Sequence, residues 1–138
     1  MNASMANEYV LDGSRITSLE TFYDEISRVL IPGRQWGRNL DAFNDILRGG
    51  FGTPDEGFTL RWSHSADAKK TLGYPETMRQ LEIRLGCCHP SNRRDVRRML
   101  SDARAGTGQT VFDWLVEIIR HHGPGGEQAK DNVRLVLD

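Results

Sequence analysis

Two aspartates four residues apart, Asp41 and Asp45, are the first pair in this sequence whose types and spacing bear on chemistry. On a helix they stand one turn above each other, with Asn44 beside them. Such a pair suits two kinds of work. General acid–base catalysis would need an apolar wall to push the two carboxyl pKa values apart, and no such wall is legible around them. Recognition of a basic concave surface needs only exposure, because free carboxylates meet arginines in paired hydrogen bonds. Gln35 and Trp36 lie just upstream and complete a compact patch of aromatic, amide and acid. Trp36 fits either that patch or the core.

The remaining candidates are weaker. His64, His89, His121 and His122 include no pair spaced like His-Glu-x-x-His, and His121-His122 reads as a helix end facing its negative pole. Cys87-Cys88-His89 lines up three soft ligands, but contiguous ligands do not wrap one zinc and no fourth is evident. The cysteines read as reduced thiols. No nucleophile elbow, phosphate-binding glycine loop or dinucleotide fingerprint occurs. No catalytic residue, metal or cofactor is therefore expected. Arg93-Arg94-Asp95-Val96-Arg97-Arg98 puts four arginines on neighbouring helical positions. Without interleaved aromatics it reads as a solvated face, with phosphate contact as the rival.

Positioning the acidic pair falls to a short helix. Leu40, Phe43, Ile46 and Leu47 recur at helical spacing, Asn39 is placed to cap them, and Gly49-Gly50 to stop them. Upstream, Tyr9-Val10-Leu11 predicts a strand, and Ser18 caps a helix that runs to Pro32-Gly33. Phe58 to Trp62 alternates as a second strand. Ser65–Leu72 predicts one or two helical turns. Pro75–Leu85 is compatible with helix or strand, helix being preferred for its Pro75-Glu76 start and Gly86 stop. Pro90-Ser91 opens another helix, and Val111 to Ile119 form the strongest amphipathic one. Val133 to Leu137 close the chain as a strand. Strands separated by helices favour parallel crossovers in an α/β architecture.

With 138 residues, 38% apolar and 27% charged, the chain has the makings of one ordinary globular domain. Residues 1–8 lack the features of a secretion signal and read as a flexible leader. No apolar run approaches a membrane span. The net charge of −1 argues against general nucleic-acid binding, although residues 75–105 hold seven arginines against four acids.

The run Trp36-Gly37-Arg38-Asn39-Leu40-Asp41-Ala42-Phe43-Asn44-Asp45, with the strand and helix before it and the helix and strand that close the chain, resembles the barstar family of intracellular ribonuclease inhibitors. The resemblance covers residues 9–74 and 109–138, leaving 75–108 as a helical insertion. It implies a small three-stranded parallel sheet packed with α-helices, and an inhibitor or immunity protein rather than an enzyme. It implies that Gln35, Trp36, Gly37, Asn39, Leu40, Asp41, Asn44 and Asp45 plug a nuclease active site. Within that set Asp45 mimics the substrate phosphate and Asp41 is a second acidic contact, with Glu117 on the later helix in support. The implied partner is an extracellular-type ribonuclease or toxin nuclease domain, with no direct nucleic-acid contact, no membrane, and a cytoplasmic monomer when free. Gln35, Arg38 and Asn44 stand where the best-known member has an aromatic, a glutamate and a tryptophan. Two rivals stay open: an interaction module of this fold without nuclease inhibition, and an RNA-contacting protein using Arg93–Arg98.

Overall fold

The computed structural model describes residues 8–49, 52–54 and 56–138. Residues 1–7 of the expected leader, and Gly50 of the expected helix stop, lie outside the described residues. The described chain runs β1 (Glu8–Asp12), α1 (Leu19–Val29), α2 (Leu40–Leu47), β2 (Phe58–Ser63), α3 (Ser65–Thr71), α4 (Tyr74–Cys87), α5 (Arg93–Arg104), α6 (Val111–His121) and β3 (Val133–Leu137). The strands form one parallel sheet in the order β1-β2-β3. Leu11 pairs with Trp62, and Leu60 with Leu135. Glu8 belongs to the sheet and not to a leader: it pairs with Thr59, and its carboxylate accepts from Arg61.

The central strand β2 buries Phe58, Leu60 and Trp62 on one face and leaves Thr59, Arg61 and Ser63 half-exposed, as its alternation predicts. Gly57 makes the entry into β2 possible. Its φ is +102°, and a Cβ there would lie 2.3 Å from the Asn132 carbonyl oxygen at the start of β3. Helix α1 begins with a capping box in which Ser18 and Thr21 bond each other's backbone amides, and it buries Phe22 and Ile26 against the sheet. Phe22 is the hub of an aromatic cluster, its ring 5.2 Å from Phe43 of α2 and 5.4 Å from Trp62 of β2. Trp62 in turn meets Phe112 of α6 at 5.1 Å.

Residues 75–108 hold most of α4 and all of α5, and α5 doubles back onto α4 through Leu81, Val96, Leu100 and Ala103. This segment is bonded to the rest of the chain at two helix starts. The Glu76 carboxylate accepts the Leu19 amide at 2.9 Å, and the Thr77 hydroxyl accepts the Val111 amide at 2.9 Å. α4 thus supplies bonds that the first turns of both α1 and α6 would otherwise lack.

Two buried carboxylates tie the layers together. Glu25 accepts the Asp12 amide at the end of β1 and both arms of Arg28, and Glu76 accepts Leu19, Arg79 and Gln80. Burial raises the pKa of each, but these hydrogen bonds and the arginine charges outweigh it and hold both below the usual glutamate value. Each group is therefore more acidic folded than unfolded. Its stabilisation is complete above the unfolded pKa of about 4.3 and is lost as pH falls through the lower folded value. Melting temperature followed from pH 7 to pH 2 should fall steeply in that acid window. A Glu25→Gln, Glu76→Gln double variant should melt lower at pH 7 and show a flatter acid limb; an unchanged limb would assign the acid sensitivity elsewhere.

Candidate functional site

Helix α2 exists because three local signals agree. Asn39 Oδ1 accepts the Ala42 amide at 2.8 Å, Asp41 sits in the positive first turn, and Phe43, Ile46 and Leu47 are fully buried. Its back is glued to the core through Phe43 against Phe22. The opposite face leaves Asp41 and Asp45 exposed. Asp41 has no hydrogen-bond or ion-pair partner among the described residues. Asp45 has one weak neighbour, Arg48 at 3.5 Å, and both side chains remain about half exposed at 54% and 53%. At such exposure a surface pair of this length contributes little, so the carboxylate stays available. Replacing Asn39 with alanine should destabilise this eight-residue helix by about 1 kcal/mol and speed hydrogen exchange at the Ala42 and Phe43 amides. Unchanged exchange there would show that the cap does not hold the helix.

The loop before α2 is anchored backwards onto α1. Trp36 is half-buried, with its ring edge-on to Tyr23 at 5.4 Å and its indole N–H donated to the Ser27 hydroxyl at 2.7 Å. The choice left open between patch and core is therefore decided as both: one face of Trp36 docks on α1 while the side chain remains partly accessible. Burial pushes the Tyr23 phenol beneath it up to about 12, so it stays neutral. Arg38 adopts a left-handed conformation, φ 51°, and reaches back to the Asp24 carboxylate and the Ser27 hydroxyl. It thereby pairs on the surface with an acid of α1. Gln35, Gly37 and Asn39 are exposed and Leu40 is half-exposed. A side chain on Gly37 would press on Ala42 at 3.1 Å and Asn39 at 3.2 Å, so the glycine lets the loop close on its own cap.

Asn44 is half-exposed and its amide oxygen accepts from Nε2 of His122 at 2.6 Å. His122 is completely buried and bonds Asp131 through Nδ1, also at 2.6 Å. His122 caps the end of α6, as expected of a helix-end residue, but it does so buried, as a cross-link from α6 and the turn before β3 to the motif helix. The signal was present: residues 111, 115, 118, 119 and 122 continue one helical stripe, so His122 falls on the buried face. Glu117 is exposed and accepts from Gln109 at 2.6 Å. It shares with Asn44, Trp114 and Ile118 a pocket of about 280 Å³ between α2 and α6. Tertiary folding thus carries Glu117 to the flank of the motif helix.

The other chemistry-bearing residues are elsewhere. Of the α5 arginines, Arg93 donates to the Leu85 carbonyl, while Arg98 and Arg104 lie 3.7 and 3.8 Å from Asp95 and Glu82. The His89 ring binds the Ser91 hydroxyl of the next turn. Among the described residues no three His, Cys, Asp or Glu side chains are grouped to hold a metal, and no helix is long and apolar enough to cross a membrane. What the exposed acids of α2 can do is electrostatic: present two solvent-accessible carboxylates on a rigid, one-turn spacing to a cationic surface.

Comparison with known families adds one finding. A family model described as Barstar (barnase inhibitor) matches residues 6–86, which takes in β1, the whole motif segment, β2 and nearly all of α4. No curated protein matches the chain.

Proposed function

The chain belongs to the barstar family, and from that premise we propose that it is a stoichiometric protein inhibitor, an intracellular immunity protein or antitoxin, of a ribonuclease or related toxin nuclease. Asp45 and Asp41 occupy phosphate subsites of the nuclease and exclude RNA, without any bond being made or broken. The observation that carries this reading is the exposure of both carboxylates on a helix whose opposite face is locked into the core. A nuclease active site must gather cations to hold a phosphodiester, and a preorganised pair of carboxylates meets them without first having to be ordered. Glu117 beside the α2 face adds a third acid of the same sign. Gln35, Trp36, Gly37, Asn39 and Leu40 form the surrounding contact loop, and Asn44 acts from beneath it through His122.

A net charge of −1 limits long-range steering, so association should be less salt-sensitive than for a strongly acidic inhibitor. The test is a titration of barnase and other small basic microbial ribonucleases with the purified chain. Activity should fall linearly to zero at one inhibitor per enzyme, and RNA substrate should compete. Full activity of every such nuclease at large excess of the chain would overturn the reading.

A further inference from the structure

Helix α4 turns one stripe of side chains toward the motif loop. Gln80, Ile83, Arg84 and Cys87 recur at i, i+3, i+4 and i+7, which is the spacing of a single helical face. Gln80 and Arg84 are half-buried, respectively bonded to Glu20 of α1 and set over Trp114 of α6, while Ile83 and Cys87 are exposed. The stripe forms one wall of an open groove of about 690 Å³, whose other wall is Arg38, Asn39, Leu40 and Asp41 and whose floor includes Tyr23 of α1. The residues expected to meet a partner therefore line the same groove as the exposed face of α4.

Three charged members of the groove already have neighbours within the chain. Glu20 is held by Arg79 and Gln80, Arg38 by Asp24, and Arg84 lies 5.2 Å over the Trp114 ring. Two groups are left without an internal role. Ile83 is 51% exposed, one of three large hydrophobic side chains so exposed among the described residues, and the other two, Val10 and Leu137, are on strands. Asp41 carries the free carboxylate of the opposite rim. An apolar side chain and an uncompensated anion facing across one groove call for a segment that carries an apolar residue next to a cation.

We propose that α4 is a second contact element for the nuclease partner: a basic loop of that same protein enters the groove, sets an apolar side chain on Ile83 and Leu40, and turns a lysine or arginine to Asp41. The inference rests on the inhibitor reading above and extends it from the motif helix to α4. Interface energy concentrates in such desolvated apolar anchors, so the groove contributes affinity chiefly by slowing dissociation.

The experiment compares three proteins against barnase, or whichever ribonuclease the titration identifies: the intact chain, Ile83→Ser and Asp45→Ala. Ile83→Ser removes an exposed side chain, adds no charge and should leave the melting temperature unchanged. It should raise Kd at least about tenfold, mostly through a faster off-rate. If Asp45→Ala weakens binding and Ile83→Ser does not, the groove proposal is overturned and the inhibitor reading stands. Failure of both variants to weaken binding overturns the reading and the proposal together. A footprint gives an independent check. Cys87 is exposed in the groove, so in a Cys88→Ala background its labelling by a maleimide should slow severalfold in the complex. Labelling at the same rate in free and bound protein would exclude a partner segment from the groove.

Discussion

Asp45→Ala is expected to weaken nuclease binding by at least about 2 kcal/mol, about thirtyfold in Kd, while leaving folding intact. The ceiling for such a loss, about 8 kcal/mol, is the cost of truncating one hot-spot aspartate of barstar in its complex with barnase, and it belongs to that pair rather than to this chain. The asymmetry between binding and stability follows from geometry. The carboxylate is 54% exposed and its one neighbour, Arg48 at 3.5 Å, is equally solvated, so its removal should change stability by no more than about 0.5 kcal/mol. In a complex the same carboxylate would be desolvated against cations. Deleting it would strand their charge, and a buried, unpaired charge is the costly case. Asp45→Asn keeps the shape and removes the charge, and should lose nearly as much. Calorimetric titration of the wild type and both variants checks this, alongside thermal melts. An unchanged Kd for both would mean that α2 is not the contact helix. Arg48→Ala supplies the complementary sign: freeing Asp45 from a partly neutralising cation should tighten binding slightly.

Phe22→Ala should have the opposite profile, a loss of about 3–5 kcal/mol in stability and little direct effect on affinity of the folded protein. The ring has no exposed surface and touches one aromatic from the motif helix and one from the central strand. Truncation removes its burial energy and leaves a cavity at the one point where α1, α2 and β2 meet, in an interior that relaxes only partially. For a chain of this length such a loss lowers the melting temperature by on the order of 10–20 °C. Urea unfolding with an unchanged m-value would confirm that the effect is on stability and not on the compactness of either state. A loss below about 1.5 kcal/mol would show that the cluster repacks around the gap. Together the two substitutions separate what holds α2 in place from what α2 presents.

Particular residues show how much of the fold and site is legible before folding. Asn39 as cap, the buried Phe43-Ile46-Leu47 stripe and the outward Asp41 and Asp45 all follow from local spacing, and so does the alternation of β2. Helix α4 follows from its Pro75 start despite an alternating Leu81-Ile83-Leu85 that also fits a strand, and the structure shows helix. The bond from Leu19 to Glu76 spans 57 residues and the one from Asn44 to His122 spans 78, and neither has a local signature. Local spacing alone accordingly puts His122 on the buried stripe of α6 but does not say that it meets Asn44. The groove between α4 and the motif loop is equally invisible, since each wall reads separately as an ordinary helix or turn.

Chain order alone was enough for the main elements, the Ser18 and Asn39 caps, the buried stripes and the acidic pair, because these depend on residues within one or two turns of each other. It took the assembled fold to establish which distant polar groups meet, where Glu117 and α4 come to lie, and that Trp36 is half core and half surface. Periodicity specifies which face of an element avoids water. It carries no information on which other element will cover that face, and a buried polar group finds its partner only after the apolar faces have chosen theirs.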